Sequence, residues 1–590
     1  MVQLITLKNH RAFFVLIAFA AIFFLSDIWI YKEFVRAESY FALGARLMVE
    51  TNEWLAPHAP DEMLLNKPPL TYWVIGISYK LFGVNYGTSR LPSVLAAIAV
   101  LAIVYALGVW LGGIRAGLIS SAMLASSYIF FSFARMAMSD MLLTLWVTAA
   151  LACFVVALTE RTDRAKRLAI LGYAAVALGV LTKGPVALVL IAAPITVELV
   201  LVAFRGGQRL PSQRGTGGQG PPLNGSEKLL DGATELSRTR EALTRLRLFP
   251  GLILFTLIAA PYFFLVSTKF GRGPLRFFFF GENLQRFTGQ LYGGSARPFW
   301  FSLASFFVDF APWSLLIFLA LWFEWRVRQM DESKRRARRI LYISLACTIV
   351  LFSISSFKLD YYLLPAMPAA ALLVGGVVGN VHKLPVAMRW IVAAFTVLCS
   401  LAILIVALTS LRVASALSVE TILRFLPPAL ALLGTGAALL YIGRRKTWHA
   451  AMILMATIWA TILSMQLTLL PSFVRYLPAT VLAANVPVNS ILYTSWETSG
   501  WANCFVFNLR SQDRVERLIG DANNEKLLAV LKNDPKAVAI VGDREYLKLA
   551  GNIPELRILA EAETFGRGGL SWKKISDPKR ERLLLIGHGR

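Results

Sequence analysis

Two carboxylates and four cations stand in this sequence where they can take part in chemistry. Glu38, in AESYF, and Asp140, in ARMAMSDMLLT, are acids able to accept the proton of an attacking hydroxyl or to hold it by a hydrogen bond. Lys67 in NKPPL, Lys183 in TKGP, Lys358 in FKLDYY and Arg286 in ENLQRF are cations able to hold an anion and stabilise charge developing on a leaving group. Glu282 lies four residues before Arg286, and Tyr361 and Tyr362 follow Lys358, where they can bind a sugar or a phosphate. Each has a plainer reading. Glu38 alone is a solvated juxtamembrane acid, and Asp140 a helix N-cap beside Ser139. The lysines are snorkelling residues, and Glu282 with Arg286 is a surface pair worth only tenths of a kcal/mol. The tyrosines fit an aromatic belt. His58, between prolines, is a metal ligand, a base or an ordinary loop residue. The elements that carry these residues decide between the readings.

Of 590 residues, 56% are hydrophobic and 16% charged, with a mean hydropathy of +0.59. A soluble domain carries about a quarter charged residues, so a soluble enzyme is excluded. A membrane helix needs about 20 apolar residues. Thirteen runs qualify, near 12–30, 92–111, 116–133, 141–158, 168–182, 185–204, 248–267, 299–322, 340–356, 362–380, 390–408, 428–443 and 450–470. Lys8, His10 and Arg11 precede the first run and no small-residue cleavage site follows it, which predicts a retained first span. With the N-terminus inside, basic residues collect in the inner loops, as the positive-inside rule requires. They include Arg161, Arg164, Lys166 and Arg167, eight from Arg205 to Arg247, Arg326, Arg328, Lys334, Arg335, Arg336, Arg338 and Arg339, and Arg444, Arg445 and Lys446. The net charge of +25 is thus a topological signal, and no nucleic acid partner is expected. Cys153, Cys347 and Cys399 lie in apolar runs, leaving Cys504 alone in a polar region, so neither a disulfide framework nor a zinc cluster can be built.

The reading divides the chain into a transmembrane region, 1–470, and an extracytoplasmic α/β domain, 471–590. The tail's strand-length apolar runs ILYTSW (491–496), CFVFNL (504–509), AVAIVG (537–542) and RLLLIG (582–587) flank a helix candidate at 523–533. The cytoplasmic segment 206–226, rich in Gly, Pro, Ser and Gln, is a disordered linker. The outer loop 31–91 is too long for a connector and reads as functional. Its Phe41, Leu43, Leu47 and Met48 predict a helix at the membrane surface, and 70–82 a second one, with Trp73, Ile77 and Phe82 in the interface. A second long outer loop, 268–298, carries Glu282 and Arg286 and can close over a substrate. Lys67, Lys183 and Lys358 all fall outside, against the positive-inside trend.

The segments AESYFALGARLMVETNEWLAPH, KPPLTYW and SRLP resemble the first external loop of the GT-C superfamily of lipid-dependent glycosyltransferases, in its aminoarabinose transferase and protein O-mannosyltransferase group. ARMAMSDMLLT, LTKGPVAL, ENLQRF, PWS and SSFKLDYYLLPAMPAAAL agree in order, over about residues 10 to 375. The resemblance implies a polytopic α-helical GT-C fold with a small C-terminal extracytoplasmic α/β domain. It also implies an inverting transfer of a sugar from a polyprenyl-phosphate donor to a lipid, protein or glycan acceptor outside a bacterial inner membrane. In that reading Glu38 and Asp140 are catalytic. Lys67, Lys183, Arg286 and Lys358 hold the donor phosphate, and Tyr40, Tyr72, Glu282, Tyr361 and Tyr362 bind substrate. The outer acids and His permit a divalent metal ion without requiring one. One position departs from the pattern: Ala37 stands where the family has the first of two acids, which keeps a divergent binding or scaffold protein as the alternative. A transporter would show internal repeats and ionisable residues in mid-span, and neither is visible. The lack of G-x-G-x-x-G and P-loop patterns fits a lipid-linked donor.

Overall fold

All thirteen apolar runs are helical in the computed structural model. The structure describes residues 10–588 except 32, 35, 60–61, 64–66, 206–239, 291–296, 327–330, 475–476, 496–497, 499–504, 506, 509–513, 517–524 and 565–580. The expected linker 206–226 and Cys504 lie outside the described residues, as does the side chain of His58. Among the described residues, ten helices are long and apolar enough to cross a membrane. The other three expected spans are short or interrupted, each for a local reason. Helix α1 (Arg11–Leu25) is 15 residues long and stops before Ser26 and Asp27. After α2 (Arg36–Thr51), α3 (Leu70–Phe82) and α4 (Tyr86–Gly112), the run 116–133 divides into α5 (Ile114–Ala125) and α6 (Tyr128–Phe133). At that break the Ser126 and Ser127 hydroxyls donate back to the Ala122 and Leu124 carbonyls. The run 299–322 becomes Phe301–Asp309 and Leu316–Arg326, on either side of Pro312, which has no N–H to continue a helix.

Without a hydrophobic drive between helices in lipid, close approach of small residues holds a bundle together. Here Gly108 of α4 meets Gly117 of α5, and Gly375 and Gly379 meet Ser120 and Ala116 so closely that an added Cβ at Gly375 would lie 2.6 Å from the Ser120 Cα. Helices α7 (Ser139–Thr159), α8 (Asp163–Lys183) and α9 (Pro185–Arg205) pack beside them. At one end of the bundle Glu198 of α9 is fully buried and takes hydrogen bonds from Arg336 (2.9 Å) and from Arg339 (2.8 and 2.5 Å). Residues read only as loop charges therefore tie two helices together.

The other end carries a five-stranded sheet, ordered β4-β3-β5-β7-β6. Its strands are β3 (Ile491–Thr494), β4 (Arg514–Glu516), β5 (Ala537–Gly542), β6 (Leu556–Thr564) and β7 (Glu581–His588), following a two-stranded ribbon of β1 (His58–Ala59) and β2 (Glu62–Met63). β3 runs parallel to β4 and β5, and β7 antiparallel to β5 and β6. Alternation along the strands sorts the side chains. Leu492, Val538, Ile540, Leu583 and Leu585 share one core with Ala479, Leu482 and Ala483 of the helix Pro478–Ala484 and with α2 and α3, whereas Tyr493, Ala539, Val541, Leu584 and Ile586 join Leu527, Leu531 and Leu549 of the helices Glu525–Asn533 and Asp543–Ala550. Helix α2 thus contributes Phe41, Ala42, Ala45 and Met48 to a core that it shares with the sheet. Trp73 is also turned inward, with Nε1 donating to the Trp54 carbonyl at 2.6 Å and its ring edge-on to Tyr262, while Ile77 and Phe82 stay exposed as expected. Phe505, Phe507 and Asn508 are helical, not a strand. Strand β6 and the helix Asp543–Ala550 had no counterpart in the sequence reading.

The contact of Gly375 with Ser120 is to backbone, which cannot swing away. Gly375→Ala is expected to remove the monodisperse peak in size-exclusion chromatography, whereas Gly436→Ala, with nothing within 4 Å of an added Cβ, leaves it intact.

Candidate active site

The site is built from its support upward. Helix α4 starts from Asn85, whose side chain accepts the Thr88 N–H in a reciprocal capping box. One turn in, the buried Arg90 guanidinium forks onto Glu38, Nε to Oε1 at 3.0 Å and Nη2 to Oε2 at 3.3 Å. It also donates to the carbonyls of Ile28 (3.3 Å), Tyr31 (2.6 Å) and Glu33 (2.5 Å). The rings of Tyr31, Phe34 and Tyr86 lie 5.3, 5.2 and 5.9 Å from its carbon. Glu38 Oε1 accepts in addition the Ala137 N–H at 2.9 Å. Glu38 is therefore 2% exposed with both oxygens engaged, joining α2, α4 and the approach to α7. Arg90 entered the sequence reading only as part of SRLP. Beside it, Glu33 keeps a buried carboxyl that burial pushes up to about 7. No sequence pattern points to it.

Two ion-paired groups lie further along the same end. Lys67 is followed by Pro68 and Pro69, and the second proline leads directly into α3. Its Nζ meets Glu282 Oε2 at 2.9 Å, and Arg286 Nη1 reaches the same oxygen at 3.1 Å. Glu282 sits in a nine-residue π-helix, Phe277–Gln285, a rare geometry often found at functional sites. The Arg286 guanidinium covers the Phe357 ring at 4.5 Å. Lys67 also lines a small pocket with Tyr262, Phe263 and Phe278. Burial holds its ammonium below the ordinary lysine range. Glu282 opposes that shift, and Arg286 and Lys183 add to it.

The second group joins two helix ends. Lys183 is the last residue of α8, and Gly184, at φ 79°, closes that helix before Pro185 opens α9. A side chain at 184 would be strained by the positive φ, and its Cβ would press on the Phe278 ring. Lys183 Nζ donates to Asp140 Oδ1 at 2.5 Å. Asp140 stands in the first turn of α7, where the helix N-terminus favours a carboxylate. That helix has no side-chain cap, so the capping reading of Asp140 with Ser139 is not what forms. The Lys183 ammonium lies 5.7 and 5.5 Å from the rings of Tyr361 and Tyr362.

Of the expected site residues, the structure brings together Lys67, Glu282 and Arg286, and Lys183, Asp140, Tyr361 and Tyr362. Lys358 is turned aside, its buried ammonium donating to the Ser355 carbonyl at 2.6 Å. Tyr40 and Tyr72 pack in the core between α2, α3 and the sheet. Among the described residues no three His, Cys, Asp or Glu gather to hold a metal. The carboxylates of Glu282 and Asp140 are already on cations, a set of donors suited to an anion.

The chain is similar to known proteins in sequence and in fold. The family model described as dolichyl-phosphate-mannose-protein mannosyltransferase matches residues 66–214. An uncharacterized protein of Aquifex aeolicus is 28% identical over 337 residues, covering 57% of this chain and 58% of the relative. The undecaprenyl phosphate-alpha-4-amino-4-deoxy-L-arabinose arabinosyl transferase 2 of Proteus mirabilis is 28% identical over 345 residues, covering 57% and 54%. The chain thus spans little more than half the length of the curated relatives it matches. The crystal structure of ArnT from Cupriavidus metallidurans bound to undecaprenyl phosphate superposes with a TM-score of 0.69 at 20% identity, covering 97% of this chain and 98% of that one. The chain therefore shares the fold of that ArnT structure. In sequence it is similar to the undecaprenyl-phosphate arabinosyl transferases.

Removing one member of a buried pair strands the other charge, at a cost of about 3–5 kcal/mol. Lys183→Met is expected to lower the thermal unfolding midpoint in detergent sharply, and the double variant Lys183→Met, Asp140→Asn to recover most of the loss.

Proposed function

We propose that this protein is an inverting glycosyltransferase that moves a sugar from a polyprenyl-phosphate donor to an acceptor hydroxyl or phosphate on the outer face of a bacterial inner membrane. The observation that carries the reading is the grouping of Lys67, Arg286 and Lys183, interleaved with Glu282 and Asp140, at the bundle end that bears the sheet. The relatives' names supply the donor class. A lipid acceptor is favoured over a protein or glycan because the named relatives are aminoarabinose transferases of the undecaprenyl-phosphate type. The basic runs at the opposite end support a cytoplasmic N-terminus and an external sheet.

In this reading the acceptor oxygen attacks the anomeric carbon in line as the bond from that carbon to the phosphate oxygen breaks. The phosphodiester leaves as a phosphomonoester with added negative charge, and Lys67 and Arg286 stabilise that charge where it develops. Glu282 holds both cations in place before the donor arrives. Asp140 is the better proton acceptor, since among the described residues its carboxylate meets a partner only through Oδ1. Glu38, whose two oxygens hold Arg90 and the Ala137 N–H, acts as support for the site.

Purified protein given synthetic polyprenyl-phosphate sugars and extracted membrane lipids is expected to transfer label. Asp140→Asn should lower kcat by about 10²-fold or more. No transfer from any donor by wild type, with transfer gained on Ala37→Asp, would favour the binding or scaffold alternative. The lowered proton affinity of Lys67 sets the sign of the pH dependence: its charged form is lost as pH rises, and earlier than for an ordinary lysine. Donor KM is accordingly expected to climb on the alkaline side, and Lys67→Gln to raise KM at all pH values while flattening that limb.

A further inference from the structure

The stretch between β3 and β4 meets the support of the site through two residues that neither the motifs nor the comparisons single out. The Phe507 ring stands edge-on to Phe34, with centroids 4.8 Å apart, and lies 5.3 Å from the ring of Tyr86. Next to it, Asn508 places Oδ1 2.9 Å and Nδ2 2.6 Å from the Tyr86 hydroxyl. Arg46 of α2 donates from Nη1 to the Phe507 carbonyl at 2.6 Å, fixing this segment against the helix that carries Glu38. Phe34 and Tyr86 are two of the three rings that flank the Arg90 guanidinium, and Tyr86 precedes Arg90 by one turn of α4.

The guanidinium needs those walls. Its bonds run to the carbonyls of Ile28, Tyr31 and Glu33, which belong to the connection between α1 and α2 and have no regular structure to fix them. Its other partner, Glu38, holds the Ala137 N–H three residues ahead of Asp140. A displacement of about 1 Å at a catalytic group is enough to cost up to ~10²-fold in rate. We propose that the C-terminal segment carrying Phe507 and Asn508 is a positioning element of the transfer site, acting through Asn508 on Tyr86 and through Phe507 on Phe34 to hold the Arg90–Glu38 clamp in register with Asp140. The inference rests on the transferase reading. Asn508 and Phe507 touch no substrate in it; they act through Tyr86 and Phe34.

Tyr86→Phe keeps the ring that flanks Arg90 and removes only the hydroxyl held by Asn508. Asn508→Ala removes the same contact from the other side, and Asn508→Asp keeps an acceptor for the hydroxyl. In the full-length protein, Asn508→Ala and Tyr86→Phe are each expected to lower kcat about fivefold, the scale of one lost hydrogen bond. Donor KM should stay within about twofold, the double variant should be no slower than either single one, and Asn508→Asp should restore most of the rate. Amide exchange across residues 28–38, which needs no substrate, should rise in the same two variants. A purely structural contact would instead lower the unfolding midpoint and the yield while leaving kcat per folded molecule unchanged, and that result overturns the proposal. Additive losses in the double variant, or unchanged exchange across 28–38, overturn it too. If the wild type transfers no sugar at all, the transferase reading and this proposal fall together, whereas normal kcat in both variants of an active enzyme removes the proposal alone.

Discussion

The arrangement of the sheet end depends on one buried guanidinium. Arg90 has five N–H donors in a rigid plane, and the structure gives them a carboxylate and three backbone carbonyls. Taking such a charge out of water costs several kcal/mol, which is recovered only where geometry and hydrogen bonding are close to complete. That requirement constrains everything around it. The chain after α1 must turn its carbonyls inward, α2 must begin so that Glu38 faces α4, and Ala137 must present its N–H to the remaining lone pairs. A lysine, with a point charge and no fork, cannot meet those four partners at once.

The reactive groups follow a different principle. Each cation in the grouping already has a carboxylate or an aromatic face, so none is buried naked in the ligand-free protein. The pairs also share members, with Glu282 held by both Lys67 and Arg286. Such shared pairs keep flexible side chains in place before a ligand arrives, which reduces the ordering cost of binding it. The helix ends contribute as well. Asp140 lies at the start of one helix and Lys183 at the finish of another, each at the pole that suits its charge.

Much of this was legible from the residues, and the failures have specific causes. AVAIVG became β5 at its expected bounds, because a short β-branched run between a helix and a turn has few alternatives. CFVFNL is an apolar run of strand length, yet its Phe505, Phe507 and Asn508 are helical, and Phe505 and Phe507 join the core shared with α2 and α3. β6 escaped notice because LRILAEAET carries three charges and an irregularity between Ile558 and Ala560, which blurs its alternation. Lys67 and Lys183 were visible as cations expected outside, against the positive-inside trend, and Asp140 as an acid at the end of a span. The pairing of Glu38 was not, because its partner Arg90 is 52 residues away and was read only as part of SRLP in the outer loop. The bond of the Lys358 ammonium to the Ser355 carbonyl was equally invisible, because it is made by a local turn that no residue type announces.

The sheet is apolar on both faces, and one of those faces shares its core with the helix Pro478–Ala484 and with α2 and α3. Synthesis passes α3, which ends at Phe82, several hundred residues before it reaches β7 at Glu581. At about 5–20 residues per second, the interval between them is on the order of tens of seconds to minutes. During that time the outer surface of α2 and α3, with Phe41, Ile75 and Tyr79, lacks its cover. The newborn protein therefore passes through a stage in which its membrane helices are in place while this apolar surface is open, and the last strand to emerge is the one that ends its exposure.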